Sequence, residues 1–152
     1  MPERPERMRR NGRPEDGSFK LNEKLFRRYT QSHYINGQFS NTGFSFNTPP
    51  SVSREKYSQA ADVLFSEADE FANWGVLSFR VVEDLPRSFP PEVPQYAFWP
   101  KHRPLEDNYA HSEVWCDRIP ETGEYVKPSS SIRKLFRALL SQRVVVEIAA
   151  AI

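Results

Sequence analysis

A cluster of prolines between residues 86 and 105 constrains the fold more than any other feature of the sequence. Because proline lacks a backbone N–H and locks one backbone angle, a segment rich in it forms neither a helix interior nor a central strand. Long loops in compact domains often act as lids or binding loops. We therefore expect an aromatic, proline-rich loop that packs on the body and offers a binding surface. Its prolines are residues 86, 90, 91, 94, 100 and 104, and its aromatic residues are Phe89, Tyr96, Phe98 and Trp99.

The composition predicts one folded domain. The chain has 152 residues, of which 38% are hydrophobic and 27% are charged, and a chain of this size buries enough apolar surface for one core. The single cysteine, Cys116, allows no internal disulfide, which favours a reducing cytoplasm. The sequence contains no run of about 20 apolar residues, so it predicts no membrane span. We expect a cytoplasmic protein without membrane contacts.

The first 20 residues differ in composition from the rest. They contain ten charged side chains, and only Met1, Met8 and Phe19 are apolar. Such a segment buries too little surface to offset the entropy lost on ordering. The sequence thus predicts a disordered charged tail at 1–20 and a single domain at 21–152.

The spacing of apolar residues predicts the elements of that domain. Alternation of apolar and polar residues is typical of half-buried strands, whereas a spacing of three to four is typical of amphipathic helices. We expect an α+β fold in which a mixed or antiparallel sheet packs against two amphipathic helices. The predicted strands are 24–29, 76–82, 108–116 and 144–148, the helical spacing covers 57–72 and 132–140, and Asn36-Gly37 predicts a hairpin turn.

Two charged strand positions and a histidine are the candidates for catalysis. Alternation along 108–116 places His111 and Glu113 on one face, about 6 to 7 Å apart, where an imidazole and a carboxylate can share proton-transfer work. On the first strand Arg27 and Arg28 point in opposite directions, and Arg28 is the candidate holder of a phosphate or carboxylate. The alternative for each is an ordinary surface side chain, paired or solvated.

Other motifs of chemistry are missing from the sequence. His102, His111 and Cys116 lack the ligand spacing of zinc sites, so we expect no metal. No glycine-rich phosphate loop occurs, and we expect no cofactor. Ser51 and Ser53 lack the Gly-x-Ser-x-Gly frame of a nucleophile elbow, and capping or turn hydrogen bonds explain them.

Five short motifs together resemble a family of small, functionally uncharacterised bacterial proteins. The motifs are Leu25-Phe26-Arg27-Arg28, Ser40 with Phe44, Ser51-Val52-Ser53, Val81-Val82-Glu83-Asp84-Leu85 and Asn108-Tyr109-Ala110-His111. This chain differs from the family pattern at Pro50, where leucine is usual, and at Tyr109, which replaces proline. The resemblance implies that Arg28, Ser51 and His111 converge, with Ser51 as a binding residue, and it implies no particular activity.

The first expectation for function is a binding or accessory module in a bacterial multi-component system. Protein–protein contacts through Tyr96, Phe98 and Trp99 would carry it, because the sequence offers a sticky aromatic segment and no catalytic motif. The formal net charge is +1, so no strong field attracts a polyanion. Only the basic side of the second predicted helix favours a nucleic-acid partner.

The alternative is a small enzyme acting on a phosphorylated or nucleotide-like substrate. In that hypothesis Arg28 holds the anion, His111 is the acid or base, and Glu113 orients His111.

Overall fold

The computed structural model describes residues 4–66 and 68–151. Its centre is a six-stranded sheet in which every pair of neighbouring strands is antiparallel, in the order β6-β7-β4-β1-β5-β8, and β2 and β3 form a separate hairpin. The α+β class and the antiparallel sheet are confirmed. The strands are β1 (Lys24–Tyr29), β2 (Tyr34–Ile35), β3 (Gln38–Phe39), β4 (Ser51–Arg54), β5 (Gly75–Arg80), β6 (Tyr96–His102), β7 (His111–Arg118) and β8 (Val145–Ile148).

One face of the sheet packs against the longer of two helices. Buried Ile132, Phe136 and Leu140 recur at a spacing of four on that helix, and the ring of Phe136 stacks on Phe98 with 4.6 Å between centroids. The amphipathic helix predicted for this region is confirmed. None of the helices in the described part of the chain is long and apolar enough to cross a membrane. The helices are the single turn α1 (Val81–Asp84) and α2 (Ser130–Ser141).

The opposite face is covered by an irregular segment, and the helix predicted for residues 57–72 is wrong. The chain there forms two short 3-10 helices, Glu55–Tyr57 and Ala60–Leu64. Between them Ser58 is extended, and its hydroxyl donates to the Arg54 carbonyl oxygen at 2.8 Å. Asp69 has a φ of 53°, which a right-handed helix does not allow. We call residues 60–66 and 68–74 the cover segment.

The proline-rich segment contains an edge strand where the sequence predicts a loop. β6 lies at the outer edge of the sheet and pairs with β7 along its whole length. An edge strand tolerates proline because one of its sides needs no backbone donor, and Pro100 lies there opposite Val114. The loop prediction is therefore wrong for residues 96–102.

Residues 4–20 lie along the domain, in contrast to the disordered tail expected from composition. Met8 is only 3% exposed. Arg7 donates to both carboxylate oxygens of Asp62, at 2.6 and 3.1 Å. Composition alone predicts that charged side chains of this segment are solvated, whereas Arg7 binds a carboxylate of the domain.

Arg54 on β4 fixes this N-terminal segment to the sheet. Its side chain is fully buried and donates to both carboxylate oxygens of Glu23, at 2.9 and 3.1 Å. It also donates to the carbonyl oxygens of Asp16 and Ser18, at 2.6 and 2.7 Å. Burying a charge is costly unless hydrogen bonds satisfy it. The burial of Arg54 therefore requires that residues 16–23 stay in place.

We predict that Glu23→Ala lowers the free energy of unfolding by about 3–5 kcal/mol, because it removes two hydrogen bonds to the buried Arg54 charge and leaves it with the more distant Asp16 carboxylate, at 3.6 Å. Urea unfolding followed by circular dichroism measures the change. Glu121→Ala, at an exposed glutamate, is the control and should change that free energy by less than about 0.5 kcal/mol. Equal, small effects of the two substitutions would contradict the role assigned to the Arg54–Glu23 pair.

Candidate functional site

Predicted site residues from three strands share one face of the sheet. The register pairs Phe26 of β1 with Ser53 of β4, and it pairs Ser53 with His111 of β7. Side chains two residues apart on a strand point in the same direction. The residues that lie together on this face are Arg28, Ser51, His111 and Glu113.

Above this face lies a cleft with a volume of about 870 Å³. Strands β1, β4 and β7 form its floor, the cover segment forms one wall, and residues 105–108 form the opposite rim. Arg28, Ser51 and His111 all line it. The structure therefore brings these three predicted residues around one cavity.

Arg28 enters the cleft with most of its guanidinium donors making no hydrogen bond within the described part of the chain. Its guanidinium lies 3.9 Å from the ring centroid of Phe71. Among the described residues its side chain makes one hydrogen bond, from Nη1 to the Val63 carbonyl oxygen at 3.4 Å. Desolvation lowers the pKa of Arg28, and the nearby Glu70 carboxylate opposes that shift. Because arginine remains protonated at neutral pH, the cleft keeps a positive charge.

Arg27 points to the opposite face of the sheet. Its Nε and Nη2 donate to the Gly43 carbonyl oxygen at 3.2 and 2.9 Å, and Nη1 donates to that of Ser51 at 2.7 Å. Burial lowers the pKa of Arg27 to about 10, with a smaller contribution from the repulsion of the Arg28 charge. The two guanidinium charges thus repel each other, and an anion bound at Arg28 would reduce that repulsion.

The imidazole of His111 is held between a carbonyl group and a hydroxyl group. Its Nδ1 lies 2.7 Å from the Arg103 carbonyl oxygen, and its Nε2 lies 3.3 Å from Ser51 Oγ. Since a carbonyl oxygen can only accept, Nδ1 carries the proton of the neutral ring. Nε2 then presents its lone pair to the Ser51 hydroxyl. His111 is therefore arranged to take a proton at Nε2.

Glu113 is not the group that orients His111. Its Oε1 accepts a hydrogen bond from Arg103 Nε at 3.1 Å. Arg103 directly follows β6, the strand that pairs with β7, so its backbone meets the imidazole while its side chain meets the carboxylate. The role predicted for Glu113 is corrected, because the Arg103 carbonyl group fills it.

The aromatic binding surface predicted for the proline-rich segment is largely core. Tyr96 is 4% exposed and Phe98 is 0% exposed, because alternation along β6 turns both towards α2. Trp99 points to the other face and is half-buried, opposite Trp115. Of the three predicted binding residues, only Trp99 presents side-chain surface to a partner. None of the three lines the cleft.

His102 and Cys116 lie away from the cleft and serve the core. His102 Nδ1 accepts from the Asp16 backbone N–H at 2.8 Å, and Nε2 meets the Tyr109 carbonyl oxygen at 2.6 Å. Burial lowers the pKa of His102 and raises that of Cys116 to about 12. Within residues 4–66 and 68–151, no group of three His, Cys, Asp or Glu side chains is placed to hold a metal ion.

Arg4 and Asn108 line the cleft, and sequence reasoning did not single them out. The Arg4 guanidinium lies 4.4 Å from the ring centroid of Phe65 and donates to the Asp107 carbonyl oxygen at 2.8 Å, so it bridges the two walls. Asn108 Nδ2 donates to Ser53 Oγ at 3.2 Å, while its Oδ1 is buried without a hydrogen-bond partner among the described residues. The motif Asn-x-Ala-His could have indicated Asn108 as a site residue. The charged composition of the N-terminal segment gives no indication that Arg4 lines a cleft.

No protein-family model, no curated protein and no solved structure matches the chain. The resemblance to small bacterial proteins stays a prediction. We therefore infer the function from the geometry and charge of the cleft.

We predict that the three histidines differ in tautomer. His111 should carry its proton on Nδ1, because that atom faces a carbonyl oxygen. His33 and His102 should carry it on Nε2, because Nδ1 accepts a backbone N–H in both. A long-range 1H–15N spectrum of the imidazole nitrogens, recorded at mildly alkaline pH, distinguishes the two forms. An Nε2–H tautomer at His111 would contradict the geometry described for Ser51.

Proposed function

We propose that the cleft binds a small phosphorylated or nucleotide-like ligand and that His111 transfers a proton to or from it. The observation that carries this proposal is the shared cavity, because Arg28, Ser51 and His111 border one space of about 870 Å³. Ordinary small-molecule sites have volumes of about 300–1,000 Å³. An anion holder and a proton acceptor in a cleft of this size favour the enzymatic alternative over a purely structural role.

The charges around the cleft favour an anionic ligand. Asp62 is neutralised by two hydrogen bonds from Arg7, and Asp107 forms an ion pair with Arg4 at 3.6 Å. Arg28 makes its one side-chain hydrogen bond among the described residues to a backbone carbonyl oxygen, and the Glu70 carboxylate that acts on its charge forms no ion pair with it there. A phosphate group, with several acceptor oxygens, suits the planar fork of donors of an arginine.

Other residues that line the cleft favour a ligand that carries a polar ring. A buried acceptor without a partner costs about 1–3 kcal/mol, and the Oδ1 atom of Asn108 has no partner in residues 4–66 and 68–151. An N–H group of a nucleobase would satisfy it. Phe65, Phe71 and Trp74 line the same cleft and offer aromatic surface to a flat ring. These features favour a nucleotide over a simple sugar phosphate.

We predict that Arg28→Gln weakens the binding of AMP by about 10- to 150-fold, because a hydrogen bond to a charged group contributes about 1.5–3 kcal/mol. Isothermal titration calorimetry with AMP, glucose 6-phosphate, inorganic phosphate and adenosine measures the affinities. Adenosine lacks the phosphate, so the substitution should leave its binding unchanged.

Arg87→Gln is the matched control for this experiment. Arg87 is also exposed and also lies over an aromatic ring, 5.1 Å from the centroid of Trp99, but outside the cleft. Its replacement should leave every affinity unchanged. The proposal fails if no phosphorylated compound binds, or if AMP binds the Arg28→Gln variant as tightly as the original protein.

A protein partner is the second candidate, and Trp99 is the observation that favours it. Trp99 is half-buried on the edge strand β6 and lies across from Trp115. Lys101 Nζ lies 4.0 Å from the centroid of the Trp115 ring. Tryptophans beside cations are typical anchors of protein interfaces. This surface lies outside the cleft, so the two functions can be tested separately.

We predict that Trp99→Ala weakens such a complex by about 2 kcal/mol or more, the loss typical of an interface anchor. His111→Ala should leave the complex intact. Capture from the native host identifies the partner, and titration of the purified pair measures the affinities. If Trp99→Ala binds the partner unchanged, this surface is not the interface.

A further inference from the structure

We propose that Ser51 is a nucleophile that His111 activates, and that Ser51 Oγ receives the phosphoryl group of the ligand. For its substrate class, this inference rests on the proposed function. For the reactivity of Ser51, it rests on the geometry of the hydroxyl and the imidazole.

The pair has the arrangement that an activated serine requires, namely a base within reach of the hydroxyl and a third group that orients the base. Ser51 Oγ lies 3.3 Å from His111 Nε2, and the Arg103 carbonyl oxygen holds Nδ1 at 2.7 Å. In many enzymes such hydrogen bonds are long without substrate and shorten in the complex. Among the described residues, this is the one hydrogen bond between a hydroxyl and an imidazole.

The backbone of Ser51 is fixed, while its side chain is accessible. Ser51 is the first residue of β4, and its carbonyl oxygen accepts a hydrogen bond from Arg27 at 2.7 Å. The preceding Pro50 carbonyl oxygen accepts from the Val114 N–H on β7 at 2.9 Å. The residue itself is exposed and lines the cleft. A ligand in the cleft can therefore reach a hydroxyl whose position is set by the sheet.

Arg28 lies where it can hold the group under attack. The β1–β4 register ends at the pair Phe26 and Ser53, and Arg28 and Ser51 lie two residues beyond it on the same face of the sheet. Both line the one cleft. A ligand whose phosphate Arg28 holds can therefore present phosphorus to Ser51 Oγ within the same cavity. The guanidinium would also stabilise the charge on the phosphoryl oxygens in the transition state.

The neighbouring Ser53 lacks these features. It lies on the same face of the sheet but is buried, and its Oγ accepts a hydrogen bond from Asn108 Nδ2 at 3.2 Å. No imidazole nitrogen bonds to its hydroxyl among the described residues. The geometry therefore distinguishes Ser51 from a serine two positions away.

The proposed step balances without a further reactant. The Ser51 hydroxyl proton passes to His111 Nε2, a bond forms between Oγ and phosphorus, and the bond between phosphorus and the leaving oxygen breaks. The leaving oxygen keeps the electron pair and takes the proton from Nε2. Water then attacks phosphorus with its proton passing to Nε2, and the Oγ–P bond breaks. Oγ regains the proton, and inorganic phosphate is released.

Labelling with a fluorophosphonate probe tests the nucleophile before any substrate is known. The probe loses fluoride as Ser51 Oγ bonds to its phosphorus. We expect one adduct in the intact mass spectrum, located on Ser51 and not on Ser53 by peptide mapping. Ser51→Ala should abolish the adduct, and Ser88→Ala, at an exposed serine outside the cleft, should not. His111→Ala should slow labelling by about 100-fold or more.

Two further measurements separate a base from a merely structural histidine. Added imidazole should restore part of the labelling of the His111→Ala variant, and it should restore none in the Ser51→Ala variant. Absence of an adduct, or equal labelling of Ser51→Ala, overturns the nucleophile, and it does so even if AMP binds through Arg28. Labelling of Ser51 in a protein that binds no phosphorylated compound would instead overturn the substrate class.

Discussion

The buried guanidinium of Arg54 is the interaction on which the rest of the site depends. It lies between β4 and the N-terminal segment, with hydrogen bonds to Glu23 and to two backbone carbonyl groups, and its cation lies 3.9 Å from the ring centroid of Phe19. A charge so placed is tolerable only while these partners stay together. The same segment carries Arg4 and Arg7 to the walls of the cleft. The cleft therefore owes its shape to a charge buried beneath the opposite face of the sheet.

Two of the three strands that form the floor of the site, β1 and β7, could be predicted from the sequence because their pattern depends on alternation alone. A half-buried strand must place its apolar side chains on one face, and this fixes the direction of every other side chain. Alternation in β7 buries Ser112, Val114 and Cys116 and leaves His111 and Glu113 on the other face. The same argument separates the directions of the two arginines of β1. Strand β5 was predicted for the same reason, whereas helix α2 was predicted from its spacing of three to four residues.

The walls could not be predicted because their partners are distant in sequence. The apolar residues of the cover segment have helical spacing, yet Phe65 and Phe71 pack against the cations of Arg4 and Arg28 instead of forming one helical stripe. Asp62 takes part in a local capping arrangement and also binds Arg7, 55 positions away. Local periodicity carries no information about such pairs. In β6 the prolines concealed an edge strand, since only the position of the strand in the sheet decides whether proline is tolerated.

The group that orients His111 could not be predicted from the local sequence pattern either. Carboxylates commonly orient an imidazole, and the sequence pattern therefore indicated Glu113. The group in place is the backbone carbonyl group of Arg103. Any residue at this position would supply the same atom, because every residue has a backbone carbonyl group. What matters is that the chain leaves β6 at this position and hydrogen-bonds to β7, with the Arg103 N–H donating to the His111 carbonyl oxygen at 3.1 Å. The orientation of the candidate base is thus a property of strand pairing, and the side chain of Arg103 is left to hold Glu113 away from the imidazole.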